Sequence, residues 1–187
     1  MKKLLNIFFM FSIIGIVSCN QTNTKTEQTN MPSEVKVEGG QGSIQDDESA
    51  KDVVKIAAGS KDHTTLVAAI KQAELVNVLS NAGPFTVFAP TNAAFDKIPK
   101  ETLDDLMKDE NKEKLQDILQ YHVYVGTLKT EMMEDGQTFN QVNGGNITIT
   151  KKDGKIIVNN SATVIASIPA ANGIIHVIDG VLLPPSK

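Results

Sequence analysis

His176 and Asp179 are the first candidates for chemistry in this sequence, because an imidazole near a carboxylate is a common general acid–base arrangement. The apolar run that contains them is too short to span a bilayer and is bounded by glycines, which predicts a strand buried on both faces. Along such a strand His176 shares a face with Ile174 and Ile178, whereas Asp179 points to the other face. We therefore predict a core histidine satisfied by one hydrogen bond, and no dyad.

Tyr121 and His122 are the second candidate pair, placed where a predicted helix gives way to a predicted strand over residues 121–125. In a strand their side chains point to opposite faces, so the two cannot share one core or one exposed surface. We predict that His122 hydrogen-bonds within the fold, to Thr91 or Asn92, and that Tyr121 packs its ring and keeps a polar tip.

The other reactive residue types form no recognisable site. The three histidines, His63, His122 and His176, are far apart in the sequence, and no histidine or cysteine pair has metal-ligand spacing. A metal site assembled only in space stays open. The sequence contains no Gly-x-Ser-x-Gly elbow, phosphate-binding loop or calcium loop. We expect no catalytic residue, no metal and no cofactor.

The N-terminal residues predict export. Lys2 and Lys3 precede an almost unbroken apolar run from residue 4 to residue 17, which is typical of a secretory signal. The run is shorter than the roughly 20 residues of a spanning helix, although a short membrane anchor is the alternative interpretation. We assign residues 1–18 to a signal peptide.

Cys19 is the predicted membrane attachment point. Ile16-Val17-Ser18-Cys19 resembles a bacterial lipobox, and Cys19 is the only cysteine, so no disulfide competes for it. Several acyl chains on one cysteine hold a protein stably at a membrane. The resemblance implies a lipid-anchored envelope protein, on the outer membrane if the cell is Gram-negative, because Asn20 follows the cysteine. Which membrane face carries the protein stays open.

Residues 19–49 are polar and low in apolar content, so they predict a flexible linker after the lipidated cysteine. A coil of about 30 residues reaches roughly 30 Å, enough to hold a domain clear of lipid headgroups. Residues 50–187 are predicted to form one folded domain. The net charge is −4 and every basic residue is a lysine, which argues against nucleic-acid binding.

Helical patterns come first in the folded part and strands follow. Residues 52–59 predict a helix ended by a glycine, Asp62 or Thr64 is the predicted cap of a second helix, and 101–120 predict a third. Predicted strands cover 85–89, 121–125, 139–142, 147–150, 156–158 and 163–166, before the final strand. Glycine turns between them indicate antiparallel hairpins. This order favours an α+β fold.

Three segments together resemble fasciclin (FAS1) domains. Phe85-Thr-Val-Phe-Ala-Pro-Thr-Asn-Ala-Ala-Phe95 resembles the first box, Tyr121-His122 the Tyr-His motif, and Asn172-Gly-Ile-Ile-His-Val-Ile-Asp-Gly-Val-Leu-Leu-Pro184 the second box. The resemblance covers the whole folded region. It implies a β-sandwich or wedge with helices packed around it, in which Thr91, Asn92 and His176 belong to the structural motif.

The resemblance implies an adhesion or matrix-binding module with no shared catalytic mechanism, and it makes Tyr121 and His122 partner-binding candidates. Some animal members carry an Asp-Ile pair before the second box, where this sequence has Ser167 and Ile168 in a predicted turn. The missing carboxylate argues against metal-mediated integrin binding by that route. Ser167 and Ile168 are kept as partner-binding candidates.

Two functions of different classes follow. The first is a lipid-anchored module that binds a cell-surface or matrix protein, or a polysaccharide, with self-association left open. The second is a small-ligand or glycan-binding protein that uses an apolar groove of the same domain; the absence of Trp and the presence of only two Tyr disfavour sugar stacking. A hydrolase ranks last, because no nucleophile-and-base constellation is visible in the sequence.

Overall fold

The structure is a computed structural model that describes residues 50–185. Its helices are α1 (Val53–Ala58), α2 (Thr64–Gln72), α3 (Val76–Ser80), α4 (Asn92–Phe95), α5 (Lys100–Leu106) and α6 (Lys112–Tyr121). Its strands are β1 (Phe85–Pro90), β2 (Val123–Val125), β3 (Thr138–Asn140), β4 (Asn146–Lys152), β5 (Lys155–Val158), β6 (Ala162–Ala170) and β7 (Gly173–Ile178). The predicted signal peptide (1–18) and the linker with Cys19 (19–49) lie outside the described residues and stay predictions.

The first two helices begin by different means. The helix predicted over 52–59 is present as α1, and the Asp52 carboxylate caps it by accepting the Lys55 amide at 2.8 Å. At α2 the predicted caps, Asp62 and Thr64, are wrong, because Asn92 Oδ1 accepts the Thr65 amide at 3.1 Å. A side chain from the segment after β1 therefore accepts a free amide at the start of α2. The residues next to α2 in the sequence give no sign of this long-range contact.

The helix predicted over 101–120 is divided into α5 and α6. Asn111 Nδ2 donates to the Asp105 carbonyl oxygen at 2.9 Å and to the Asp105 carboxylate at 3.0 Å, and a single 3₁₀ turn separates the two helices. The second helix continues through Tyr121, so β2 begins only at Val123. The strand predicted over 121–125 is therefore wrong for its first two residues.

The strands form one seven-stranded sheet in the order β2-β1-β7-β6-β5-β4-β3. The last strand, β7, lies between β1, which runs parallel to it, and β6, which runs antiparallel. Every residue from Ile174 to Ile178 is buried, as predicted for a strand covered on both faces. The predicted α+β class is confirmed, while the parallel pairing of β1 with β7 goes beyond the predicted hairpins.

The predicted hairpins β3–β4 and β4–β5 are present. Strand β6 is longer than its predicted range, 163–166, because it continues alongside β7 as far as Ala170. Ser167 pairs with His176 and Ile168 with Ile175, so the turn predicted at these two positions is wrong. Strand β5 pairs with β6 only at Ala162 and Thr163, which leaves the rest of β6 with one sheet neighbour.

The sheet curls into a near-barrel whose two end strands meet. The Val142 amide, just after β3, donates to the Val123 carbonyl oxygen of β2 at 2.9 Å. The rings of Tyr124 and Phe139 meet edge to face across this seam, with centroids 5.5 Å apart. Because the sheet closes on itself, β2 and β3 leave little free edge for unwanted strand pairing.

Two apolar cores lie on opposite faces of the central strands. Val87 and Val177 point toward the helices and pack with Leu66, whereas Phe88 and Ile178 point into the curled sheet. Strand alternation produces this division directly. Within residues 50–185 no helix has the length and apolar character needed to cross a membrane.

Candidate functional site

Tyr121 and His122 lie at the joint between α6 and β2, and both side chains are buried, at 2% and 3% exposure. The expectation that they alternate along one strand is wrong, since Tyr121 ends the helix and His122 follows it. They enter different environments, with Tyr121 in the core inside the curled sheet and His122 beneath the C-terminal segment. In this structure a partner cannot touch either side chain directly.

His122 joins α6 to the C-terminal segment. Its Nδ1 donates to the Ile118 carbonyl oxygen at 2.8 Å, because a carbonyl can only accept, and its Nε2 accepts the Leu182 amide at 3.0 Å. Burial lowers the pKa of His122 to about 4, so the ring is neutral at pH 7. The predicted hydrogen-bond partners, Thr91 and Asn92, are wrong, since backbone groups satisfy both ring nitrogens.

Tyr121 anchors the inside of the near-barrel. Its hydroxyl donates to the Asn146 carbonyl oxygen at 2.7 Å and accepts from Asn159 Nδ2 at 2.8 Å. A β-carbon at residue 145 would lie 2.8 Å from the Tyr121 ring, so the ring requires Gly145 beside it. A packed ring with a hydrogen-bonded tip agrees with the prediction for this residue.

Thr91 and Asn92 fasten β1 to the helices. Thr91 Oγ1 accepts the Ala94 amide at 3.3 Å and starts α4. Asn92 uses both ends of its amide: Oδ1 accepts from the Thr65 amide, and Nδ2 donates to the Lys61 carbonyl oxygen at 2.9 Å. These contacts position α2 and α4 around the end of β1 rather than create an open binding surface.

His176 is fully buried and makes two hydrogen bonds where one was predicted. Its Nε2 lies 2.7 Å from the Leu128 carbonyl oxygen, and its Nδ1 lies 2.7 Å from Ser167 Oγ. Burial lowers the pKa of His176, while the Leu128 carbonyl and the Glu131 carboxylate partly oppose this effect. The ring therefore holds the segment after β2 against the sheet.

Asp179 and His176 have separate partners, as their predicted opposite faces require. The Asp179 carboxylate accepts the Thr163 amide at 2.6 Å, and the Asp179 backbone carbonyl accepts from Lys97 Nζ at 2.6 Å. Asp179 thus fixes the start of β6 to the end of β7. The pair has no dyad geometry.

Ser167 and Ile168 lie in the exposed part of β6. Ser167 is turned toward His176, whereas Ile168 faces α1 and lines a small cavity with Ala57 and His63. The structure thus separates the four partner-binding candidates into a buried pair at the end of α6 and an exposed pair on β6. It does not bring them together into one surface.

The small-ligand hypothesis requires an apolar groove, and the structure has one between α6 and the C-terminal segment Val181–Pro185, a position that no sequence pattern indicated. Its volume is about 760 Å³. Leu106, Ile118 and Leu183 form its apolar wall, and the same three residues line a narrow cavity of about 20 Å³ that reaches His122. The groove rim is charged, with Glu113, Lys114 and Asp117. Its size is within the range of small-molecule sites.

Sequence reasoning also missed the roles of Asn172 and Leu128. Asn172 Oδ1 accepts the Val53 amide at 2.9 Å, and Nδ2 donates to the carbonyl oxygens of Leu79 and Asn81, so one side chain ties α1 and α3 to β7. The signal that could have found it is an amide side chain immediately before the final strand, a position that favours backbone capping. The Leu128 carbonyl that holds His176 has no side-chain signal.

Residues 50–185 contain no group of three or more histidine, cysteine, aspartate or glutamate side chains that could hold a metal ion. The arrangement described above binds backbone groups and packs apolar surface. The exposed part of β6 and the groove beside α6 are two places where another molecule has access.

Sequence comparison gives one consistent result. The family model for the fasciclin domain matches residues 61–184. Protein sll1483 of Synechocystis sp. is 47% identical over 138 residues, which cover 74% of this chain and 76% of that protein. Immunogenic protein MPB70 of Mycobacterium bovis is 38% identical over 144 residues, covering 73% of this chain and 72% of that protein.

Cell surface glycolipoprotein MPB83 of Mycobacterium bovis is also 38% identical over 144 residues, covering 74% of this chain and 63% of the relative. Among solved structures, the FAS1 domain pair of the insect cell adhesion molecule fasciclin I has a TM-score of 0.65 at 17% identity. The match covers 71% of this chain and 51% of that pair, about half its length, and it supports the fold. The resemblance found in the sequence is confirmed, and the chain belongs to the fasciclin domain family, which is known in cell adhesion proteins.

Proposed function

We propose that this protein is an exported, lipid-anchored binding module of the cell envelope that acts through contacts with a cell-surface or matrix protein. The observation that carries the proposal is the fasciclin match over residues 61–184, which spans nearly the whole described domain. Fasciclin I is named as a cell adhesion molecule, and MPB83 as a cell surface glycolipoprotein. Binding rather than catalysis is the function that these relatives favour.

The proposed anchor is Cys19, followed by the polar linker that ends at residue 49. Acyl chains on Cys19 would hold the domain at the membrane, and the linker would let it reach a partner. Metabolic labelling with a fatty acid tests this directly. Wild-type protein should incorporate label and remain in the membrane fraction, whereas Cys19→Ala should do neither; a labelled Cys19→Ala would contradict the assignment.

We place the partner-contacting surface on the exposed part of β6, because its exposed side chains are uncharged and largely apolar. Ile165 is 57% exposed and Ile168 is 36% exposed. No charged residue occurs between Lys155 and Asp179, although charged residues make up 21% of the chain. An uncharged apolar strip on a charged domain favours protein contact. Tyr121 and His122 would support this binding through the fold, since their side chains are buried.

An adhesion assay with a matched surface control tests this placement. Ile165→Lys should reduce binding of the purified protein to cell-surface and matrix preparations by roughly tenfold or more, because a charge in an apolar contact is costly. Val78, which is 53% exposed on α3, provides the control Val78→Lys. Equal loss in both variants would exclude β6 as the specific surface, and no binding by the wild-type protein would contradict the adhesion proposal.

The groove beside α6 favours a second candidate function, the binding of a small apolar ligand. Its wall is apolar and its volume of about 760 Å³ suits a small molecule. A glycan is less well supported, since the chain has no Trp and the Tyr121 ring is buried. The aromatic faces on which sugars stack are therefore scarce.

The fluorescent apolar probe ANS can test the groove. Leu183 lines the groove and is 61% exposed, so Leu183→Asp should weaken probe binding several-fold without unfolding the domain. Val78→Asp, on α3, is the matched control. If both variants bind ANS as the wild type does, the groove is not the probe site.

A further inference from the structure

Ser167 and His176 form a hydrogen-bonded pair whose acid–base chemistry neither proposed function uses. Ser167 Oγ lies 2.7 Å from His176 Nδ1, and Nε2 of the same ring lies 2.7 Å from the Leu128 carbonyl oxygen. Because the carbonyl can only accept, the hydrogen of the neutral ring is on Nε2, and Nδ1 carries a lone pair. The Ser167 hydroxyl therefore donates its hydrogen to Nδ1.

This geometry contains two of the relations that define an activated nucleophile. The Ser167 hydroxyl is hydrogen-bonded to a base, the His176 ring. That ring is oriented by a third group, the Leu128 carbonyl. His176 is fully buried and packs against Phe88, with ring centroids 5.6 Å apart, so the ring has a fixed orientation. Ser167 is exposed at the surface of β6, where a reagent can reach it.

We propose that Ser167 is a nucleophilic serine that activated acyl esters modify, with His176 as its general base. Ser167 Oγ attacks the ester carbonyl carbon while its proton moves to His176 Nδ1. The bond from that carbon to the leaving oxygen breaks, and the leaving group departs as an alkoxide or phenolate. The product is an acyl ester on Ser167, and His176 returns its proton to solvent or to the leaving group. The modification is stoichiometric and needs no turnover.

A second Ser–His pair in the same domain provides an internal comparison. Ser60 Oγ lies 2.9 Å from His63 Nδ1, but Ser60 Oγ also receives the Asp62 amide at 3.3 Å. Within the described residues His63 Nε2 makes no close hydrogen bond, although the Ala89 carbonyl lies near enough to raise the pKa of His63 against the larger effect of burial. The ring beside Ser60 is therefore held less firmly than the ring beside Ser167.

The experiment treats the full purified chain with p-nitrophenyl acetate at neutral pH and locates acetyl groups by peptide mass spectrometry. Because positioned general bases contribute roughly 10²–10⁴-fold, Ser167 should be acetylated at least about 100-fold faster than Ser60. Ser167→Ala should abolish the fast release of p-nitrophenolate, and Ser60→Ala should leave it unchanged.

His176→Gln separates activation from mere exposure, because glutamine can hydrogen-bond to Ser167 but cannot act as the base. If this variant folds, its Ser167 should react at a rate similar to Ser60. Acetylation of wild-type Ser167 at the Ser60 rate or more slowly would overturn the proposal, and so would an unchanged Ser167 rate in folded His176→Gln. If His176→Gln does not fold, the comparison of Ser167 with Ser60 decides the question.

Discussion

His122 and His176 are both buried neutral histidines that join distant segments, yet they use opposite ring nitrogens. His122 donates through Nδ1 to a carbonyl and accepts through Nε2 from the Leu182 amide. His176 donates through Nε2 to the Leu128 carbonyl and accepts through Nδ1 from the Ser167 hydroxyl. His122 accepts its hydrogen bond from a backbone amide, whereas His176 accepts from a hydroxyl. This difference decides whether each hydrogen bond survives when the ring is protonated.

Protonation turns both ring nitrogens into donors. At His176 the Ser167 hydroxyl can rotate and become the acceptor, so the hydrogen bond survives. At His122 the Leu182 amide can only donate, so a second hydrogen on Nε2 faces a donor and the contact is lost. His122 is therefore the joint that requires a neutral ring, and the C-terminal segment that lines the groove depends on it.

The largest expected effect is the loss of the His122 joint. His122→Phe leaves the Leu182 amide and the Ile118 carbonyl without their partners, and each buried unpaired group costs about 1–3 kcal/mol. We expect the free energy of unfolding at pH 7 to fall by about 4 kcal/mol in urea titrations. His63→Phe is the control, because the one close side-chain hydrogen bond of His63 is to the Ser60 hydroxyl, and its loss should cost about 1 kcal/mol. Equal losses would mean that ring size, not hydrogen bonding, dominates.

Acid should weaken the same joint. The pKa of His122 is lowered from 6.5 to about 4 in the folded chain, so between these values the unfolded chain binds more protons. The stabilisation is complete above about pH 6.5 and is lost as pH falls toward about 4, for a total of about 3 kcal/mol from this group. Burial also lowers the pKa values of His63 and His176, which act in the same direction.

Urea unfolding at a series of pH values between 7.5 and 4 measures this loss (roughly 1.4 kcal/mol per pKa unit). His122→Phe provides the control, since it lacks the titrating ring and should show a flatter dependence on pH. Parallel curves for the wild type and the variant would show that other groups, and not His122, control the acid response.

His176→Phe should cost less than His122→Phe, about 2 kcal/mol, because it leaves one backbone group, the Leu128 carbonyl, without its partner. The Ser167 hydroxyl is near the surface and can turn to water. Urea titration of both variants under the same conditions gives the order. If His176→Phe is the more destabilised variant, the distinction between an amide donor and a hydroxyl donor does not govern stability.

The sequence predicted the fold better than it predicted the hydrogen bonds of His122 and His176. A short apolar run with glycine boundaries identified β7 as a doubly buried strand, and the terminal glycine, Gly59, helped to identify α1, because these signals lie within a few residues of the structure that they specify. The Tyr121-His122 strand was misread because the helical spacing of α6 continues to His122, whose Nδ1 bonds the carbonyl of Ile118 one turn earlier. That contact was available from helical spacing.

The remaining partners could not be predicted because they are backbone groups brought close only by folding. The Leu182 amide donates to His122 and the Leu128 carbonyl accepts from His176. Both are backbone groups, so the leucine side chains at these positions give no sign of the contacts. The groove has the same origin, since it exists only where the C-terminal segment passes over α6. Side-chain type predicted that both histidines would be satisfied but not by which groups.

The smallest expected effect comes from Ser167→Ala. This substitution tests the hydroxyl contact of His176, which tolerates protonation. The substitution removes the hydroxyl but leaves the Leu128 carbonyl, so His176 should keep its hydrogen on Nε2, while water at the exposed position of the lost hydroxyl can donate to Nδ1. We expect a loss below about 1 kcal/mol and unchanged ring-nitrogen NMR shifts for the Nε2 position. A switch of the hydrogen to Nδ1 would show that the hydroxyl, rather than the carbonyl, selects the tautomer. The serine itself, and not the Leu128 carbonyl, would then hold the His176 ring in the form on which the proposed reactivity of Ser167 depends.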